Sequence, residues 1–278
     1  PAAAPPVIPS HAPAPASPVA RSIEEHLPEE AARQFPTVEA MRRSPRWSAF
    51  AELIEAQTRA LYARGGAGKK APHDIVVTQY FIRKMPEIYG VDFVAWCGAE
   101  YGGTLSYVEN HLLVARRGAT LEILTSHRPT CGSVGDRSVA FSDLIADGQD
   151  ELIEVYVEDT AVGADVQEIR VFSLADARLV RVAEIRVASP VKFFHHEFRQ
   201  TDRAERDIVT THIEMEKTLA RQRKRPCFVY RYFEVETTYR YRKDSHSFVA
   251  KKTTKKRMAQ NAALDLTGGE APEGSCGG

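Results

Sequence analysis

The chain has 278 residues, 43% of them hydrophobic and 27% charged, with 37 basic and 37 acidic side chains. That length allows a large core or two domains, and the composition is ordinary for a globular protein. No apolar run reaches the roughly 20 residues that a membrane-spanning helix needs. The zero net charge hides an asymmetry. Residues 199–257 hold 17 Lys/Arg against 8 Asp/Glu, so the rest of the chain is acidic by the same margin. Such a division suits a polyanion-binding face or two segments that attract one another.

Residues 1–20 are Pro/Ala-rich and read as an extended linker, unable to bury a core. The sequence starts at Pro1, and an Ala/Pro-rich start is what often remains once a signal peptide or lipid anchor has been removed. The expected location is therefore periplasmic or secreted. Residues 21–66 form a helical segment expected to pack on the body. Glu29 to Ala32 favour a short helix between Pro28 and Pro36. A longer helix follows, capped by Ser44, with Pro45 in its first turn. Trp47, Phe50, Ile54 and Leu61 share its apolar face, and Gly65-Gly66 end it. The Gly/Lys stretch at 65–72 lacks the P-loop spacing.

From 74 to 257 the pattern turns to strands. Ile75–Ile82, Val91–Cys97, Thr104–Ala115 and Ala119–Ser126 come first, with Arg116-Arg117-Gly118 as a hairpin turn. Four more runs lie between Ser138 and Val187, the size of one propeller-type repeat. Arg206–Met215 is a further strand. Leu219 to Arg225 is a basic run, and Phe228–Arg242 forms a hairpin with Ser247–Lys251. His195 and His196 are adjacent and would point to opposite faces of a strand, which does not make a metal pair. Residues 258–278 read as a flexible tail. The expected fold is mainly β, with antiparallel sheets in a sandwich or partial propeller, preceded by the helical segment.

The turn between the first two of the four runs carries Asp143, Asp147, Gly148, Asp150 and Glu151, followed by Leu152-Ile153. Hard cations such as calcium want several oxygens around a tight loop. An EF-hand is excluded, because Ile145 stands at its third position, Asp150 at its eighth, and both flanks are strands. Residues 138–187 resemble the FG-GAP (VCBS-type) repeat of integrin alpha-chain propellers, whose loop runs Asp-x-Asn/Asp-x-Asp-Gly-x-x-Asp/Glu before an apolar strand. The resemblance implies a β-blade, a calcium loop to which Asp143, Asp147, Gly148 and Glu151 match, and no reaction, with Asp150 a further candidate ligand in the same turn. Ile145 departs from it by offering no oxygen. The same carboxylates also fit a plain Asx-type turn.

Four cysteines, Cys97, Cys131, Cys227 and Cys276, show no Cys-x-x-Cys spacing, which disfavours zinc and thioredoxin-like chemistry. In an exported protein, Cys97 with Cys131 is the expected bridge. Cys276 could pair with Cys227 or with another chain. There is no Gly-x-Ser-x-Gly elbow, His-Glu-x-x-His or dinucleotide fingerprint. The expected function is binding without catalysis, with another protein or an envelope component as the partner; a hydrolase pairing Cys97 or Cys227 with His111 or His195 is the least favoured reading. The alternative is polyanion or nucleic-acid binding through Arg223, Lys224, Arg225, Arg240, Arg242, Lys251 and Lys252, where basic residues alternate with tyrosines. No RNA- or DNA-binding motif accompanies that charge.

Overall fold

Alternating apolar and polar residues at period two drive most of this chain into strands, which the computed structural model arranges as three antiparallel sheets. It describes residues 32–65, 71–81, 87–96, 107–129, 133–159, 165–176, 178–190, 193–222 and 225–259, with 262, 265, 275 and 276. Each sheet takes its strands in sequence order. The first holds β1 (Arg33–Thr37), β2 (His73–Tyr80), β3 (Glu87–Trp96), β4 (Tyr107–Arg117) and β5 (Thr120–His127). The second holds β6 (Val134–Ser142), β7 (Glu151–Asp159), β8 (Asp165–Ala175) and β9 (Arg178–Ser189). The third holds β10 (Phe194–Gln200), β11 (Arg206–Gln222), β12 (Arg225–Arg242) and β13 (Ser247–Arg257). The four runs read between Ser138 and Val187 make up the second sheet.

The layers stack in chain order. Helices α1 (Val38–Arg42) and α2 (Ser48–Gly65) cover the outer face of the first sheet. Phe50, Ala51, Ile54 and Thr58 of α2 are buried at helical spacing, and Trp47 is buried in the turn before them. Trp47, Phe50 and Tyr89 pack edge-on or tilted within 5.8 Å of one another. The side chain of Leu61, expected on the same stripe, lies outside the described residues. α2 starts at Ser48. Ser44 contributes its carbonyl, which accepts from the Trp47 and Ser48 amides.

Within the expected helical segment, Arg33–Thr37 is a strand that pairs with β2. Pro36 is accommodated because β1 is an edge strand, where a missing N–H breaks no ladder on the open side. The short helix expected at 29–32 falls almost entirely outside the described residues.

The other face of the first sheet meets the second through Ile88, Leu113, Leu152 and Phe172. The second sheet's far face packs on the third through Val155, Ile169, Ile185, Ile208, Tyr241 and Phe248. The second sheet is thus buried on both sides, and every residue of β7 from Glu151 to Tyr156 is buried, the acidic ones included. No described helix is long and apolar enough to cross a membrane.

Candidate functional site

The acidic turn closes on itself. Asp143 Oδ1 accepts from the Asp147 amide at 3.2 Å and Oδ2 from the Gly148 amide at 3.1 Å, while Asp147 Oδ1 accepts from the Gln149 amide at 2.9 Å. Ala146 (φ 59°) and Gly148 (φ 82°) make the left-handed bends. Asp150 is exposed. Glu151 points inward and is 1% exposed, with Oε2 accepting from the Leu144 and Ile145 amides at 2.7 and 3.2 Å. Ile145, where the calcium pattern wants an oxygen, packs with the fully buried Leu144 into the core between the second and third sheets. Leu144 also accepts from the Arg206 amide at 2.8 Å, tying the turn to β11. Among the described residues, no group of three or more His, Cys, Asp or Glu is arranged to hold a metal ion.

Burial raises the Glu151 carboxyl to about 7, with Asp147 and Asp143 adding to the rise against the two amides that oppose it. The folded state therefore prefers the protonated acid. Stability from this group is complete below its ordinary value near 4.5 and is lost as pH rises through 7. A shift of that size corresponds to roughly 3 kcal/mol. Glu151→Gln keeps an oxygen for the two amides and removes the titration. The variant should match the parent in denaturant melts near pH 4.5 and exceed it by up to about 3 kcal/mol above pH 8. A parent and variant that track each other across that range would refute the assignment.

The basic C-terminal strands are largely neutralised. Arg240 donates Nε and Nη2 to the two carboxylate oxygens of Asp207 at 3.0 and 2.8 Å, and Arg242 does the same to Asp244 at 3.2 and 2.7 Å. Tyr239 and Tyr241 turn to the opposite face and join the core against the second sheet. Lys251 and Lys252 are exposed on the edge strand β13. Arg223 and Lys224 lie outside the described residues, as does the side chain of Arg225. The basic run from Leu219 continues β11 as far as Gln222, which pairs with Arg225 at the start of β12. Lys217 sits 3.7 Å from the Phe228 ring centroid and helps to hold this extension.

Cys97 and Cys131 lie outside the described residues. Cys227 and Cys276 form a disulfide, and the Cys276 amide donates to the Phe228 carbonyl at 2.9 Å, which pins the end of the expected tail to β12. On β10, His196 lies 3.3 Å from the Gln167 side chain, and burial lowers its basicity.

The largest concentration of chemistry is one that the sequence did not announce. At one end of the interface between the first and second sheets, the apolar contact gives way to a charged cluster. Asp92 on β3 accepts from His111 Nδ1 of β4 (or pairs with it) at 2.9 Å and from Arg137 Nη2 of β6 at 2.8 Å. Arg137, with a side chain only 3% exposed, also donates Nη1 to the Leu112 carbonyl at 2.6 Å. Gly90 makes this crossing feasible, since a Cβ there would lie 2.5 Å from the guanidinium.

Deeper in, the His127 ring nitrogens lie 3.3 Å from Glu154 and 3.5 Å from Glu168, and the ring stacks on Tyr156 at 4.0 Å. Arg170 reaches His127 Nε2 at 3.1 Å and Glu168 at 2.9 Å, and Thr125 donates to Glu154 at 2.8 Å. Burial opposes charge on Glu154, yet His127, Thr125 and Arg137 hold its carboxyl below the usual range. Burial pushes the Tyr156 phenol up. His111 Nε2 and Tyr156 Oη are buried with no hydrogen-bond partner among the described residues.

In the sequence these groups appear only as charged residues within strand runs, at Asp92, Arg137, Glu154 and Glu168. No family model matches this chain, and no curated protein matches it.

Proposed function

We propose that the chain is an exported, non-catalytic binding module whose partner is another protein or a cell-envelope component. The observation that carries this reading is the Cys227–Cys276 bond, which spans 49 residues of sequence. Persistent disulfides belong to oxidising compartments. The third sheet adds support, because β11 and β12 run on as a paired arm that leaves Met215, Leu219 and Val229 exposed, Leu219 by 64%.

Thiol trapping during lysis of the source cells tests the reading. Cys227 and Cys276 should escape alkylation, and the protein should fractionate with envelope or medium. Alkylated cysteines in a cytosolic fraction would sink it. In the purified protein, Cys276→Ser should lower stability by about 2–4 kcal/mol in non-reducing denaturant melts, because the bond restrains the unfolded chain over a long loop.

The acidic turn bears on the calcium expected from the FG-GAP resemblance. With both Asp143 oxygens accepting loop amides and Glu151 turned inward, a cation would have to displace those bonds. Millimolar calcium added to chelator-stripped protein is expected to leave the melting temperature unchanged. A gain of about 2.7 kcal/mol at a hundred times the dissociation constant would instead assign a metal loop.

A second reading, polyanion binding, keeps one specific observation. Lys251, Lys252, Lys256 and Arg257 are exposed on β13, and none makes an ion pair among the described residues. Lysines on an edge strand also serve to block strand addition.

A further inference from the structure

We propose that β10 is an acid-released latch, a strand seated against the second sheet while His196 is neutral and freed when that ring takes a proton. The inference goes beyond the binding-module reading and does not rest on it. β10 is an edge strand, and among the described residues it pairs only with β11, from Phe194–His212 to Gln200–Arg206. Phe194, His196 and Phe198 alternate along it and so share a face. Phe194 and Phe198 pack into the core between the second and third sheets, which sets His196 between two apolar anchors in that interface. The strand is only seven residues long. Short edge elements with few buried anchors open well before the whole fold does.

The ring's contacts are those of a neutral imidazole. Gln167 Nε2 of β8 lies 3.3 Å from His196 Nδ1. An amide that donates there needs Nδ1 without a proton. Protonation removes that acceptor and puts a positive charge between Phe194 and Phe198, and release of the strand returns the charge to water. Of the residues that share Gln167's face of β8, Asp165 is the acid, and it is 4% exposed with contacts of its own. Thr210 stands opposite His196 on β11 and carries no charge, and Tyr239 of β12 is a phenol that burial keeps protonated. Burial lowers the basicity of His196, and His195 beside it lowers it further.

His212, opposite Phe194 on β11, adds a second group of the same sign. Its side chain is 12% exposed, and Nδ1 has no hydrogen-bond partner among the described residues. Burial lowers its basicity against the pull of Glu214 at 3.6 Å, whose carboxylate also pairs with Lys255 at 3.0 Å. Both rings are therefore less basic in the seated strand than in a released one, where the ordinary value is 6.5. Their contribution is complete above 6.5 and is lost as pH falls through that value, because the released strand binds protons that the seated strand refuses. Glu151, at the turn into the same interface, responds with the opposite sign. Global stability mixes the two effects, so the latch needs a local readout.

The test is amide hydrogen exchange of the oxidised full chain between pH 7.5 and 5, corrected for the intrinsic rate and read strand by strand. Protection of β10 relative to β12 should fall by up to about tenfold per pH unit for each proton taken up. His196→Gln, which cannot titrate, should flatten that fall, and adding His212→Gln should remove the remainder. His196→Phe, which continues the apolar run of Phe194 and Phe198, is the second variant should the glutamine change prevent folding. Four results would overturn the proposal: constant protection of β10 across the range, a fall retained in the double variant, simultaneous loss of all three sheets, or protection that rises with acid. The last would mark Asp165 as a counter-ion for a charged His196. None of these readouts depends on where the protein resides.

Discussion

Arg137→Met is expected to destabilise the protein by about 3 kcal/mol, measured by urea unfolding at neutral pH. The physical reason is what it leaves behind. Arg137 crosses from β6 to hold the Asp92 carboxylate and the Leu112 carbonyl on the neighbouring sheet. Without it, a buried carbonyl has lost its donor and a carboxylate has lost its counter-charge. Asp92 is about one-third open to water, so it recovers part of its hydration, and the loss stays at the lower end of the range for breaking a buried pair. Combining the change with Asp92→Asn should cost clearly less than the sum of the two single changes, because they share one interaction. Strict additivity in that cycle would show that the two groups do not act together.

Phe50→Ala is expected to cost more, about 3–5 kcal/mol, and to act on the other face of the same sheet. Phe50 is fully buried between Trp47 and Tyr89, and its removal leaves a cavity that α2 cannot close without tilting. Denaturant unfolding measures the loss, and near-ultraviolet circular dichroism should report loosened packing of Trp47. A loss below 1 kcal/mol would mean that α2 is only loosely docked. Phe50 and Arg137 lie on opposite faces of the first sheet and share no partner, so their effects should add. The contrast separates an apolar layer interface, whose worth follows buried volume, from a polar one, whose worth depends on every member finding its partner.

Strand patterning carried well from sequence to structure where local signals were strong. Gly118 with φ 60° turns β4 into β5, as Arg116-Arg117-Gly118 indicated. The turn around Asp244-Ser245 joins β12 to β13, with His246 adopting a positive φ. Places where the reading differed have a common cause. Arg33–Thr37 contains a proline and follows helix-favouring residues, yet pairing with β2 makes it a strand. The stretch from Leu219 reads only as a basic run, yet it extends β11, because β12 supplies pairing partners as far as Gln222 and the Phe228 ring takes Lys217. Local propensity is a small term, and cross-strand pairing overrides it.

By itself the sequence determined the mainly antiparallel β class, the apolar stripe of α2, the four-strand unit between Ser138 and Val187, and the acidic turn. All of these are encoded by residues near one another in the chain, through periodicity and turn chemistry. Only the tertiary structure decided that the three sheets stack in order, that Ile145 serves the core, and that Cys276 bonds to Cys227. It also placed Asp92, His111, His127, Arg137, Glu154 and Arg170 in one cluster. These residues come from six strands of two sheets, and each alone looks like a polar interruption in an apolar strand. Their meaning depends on which faces meet, and face-to-face packing is a long-range choice that no short window of sequence records.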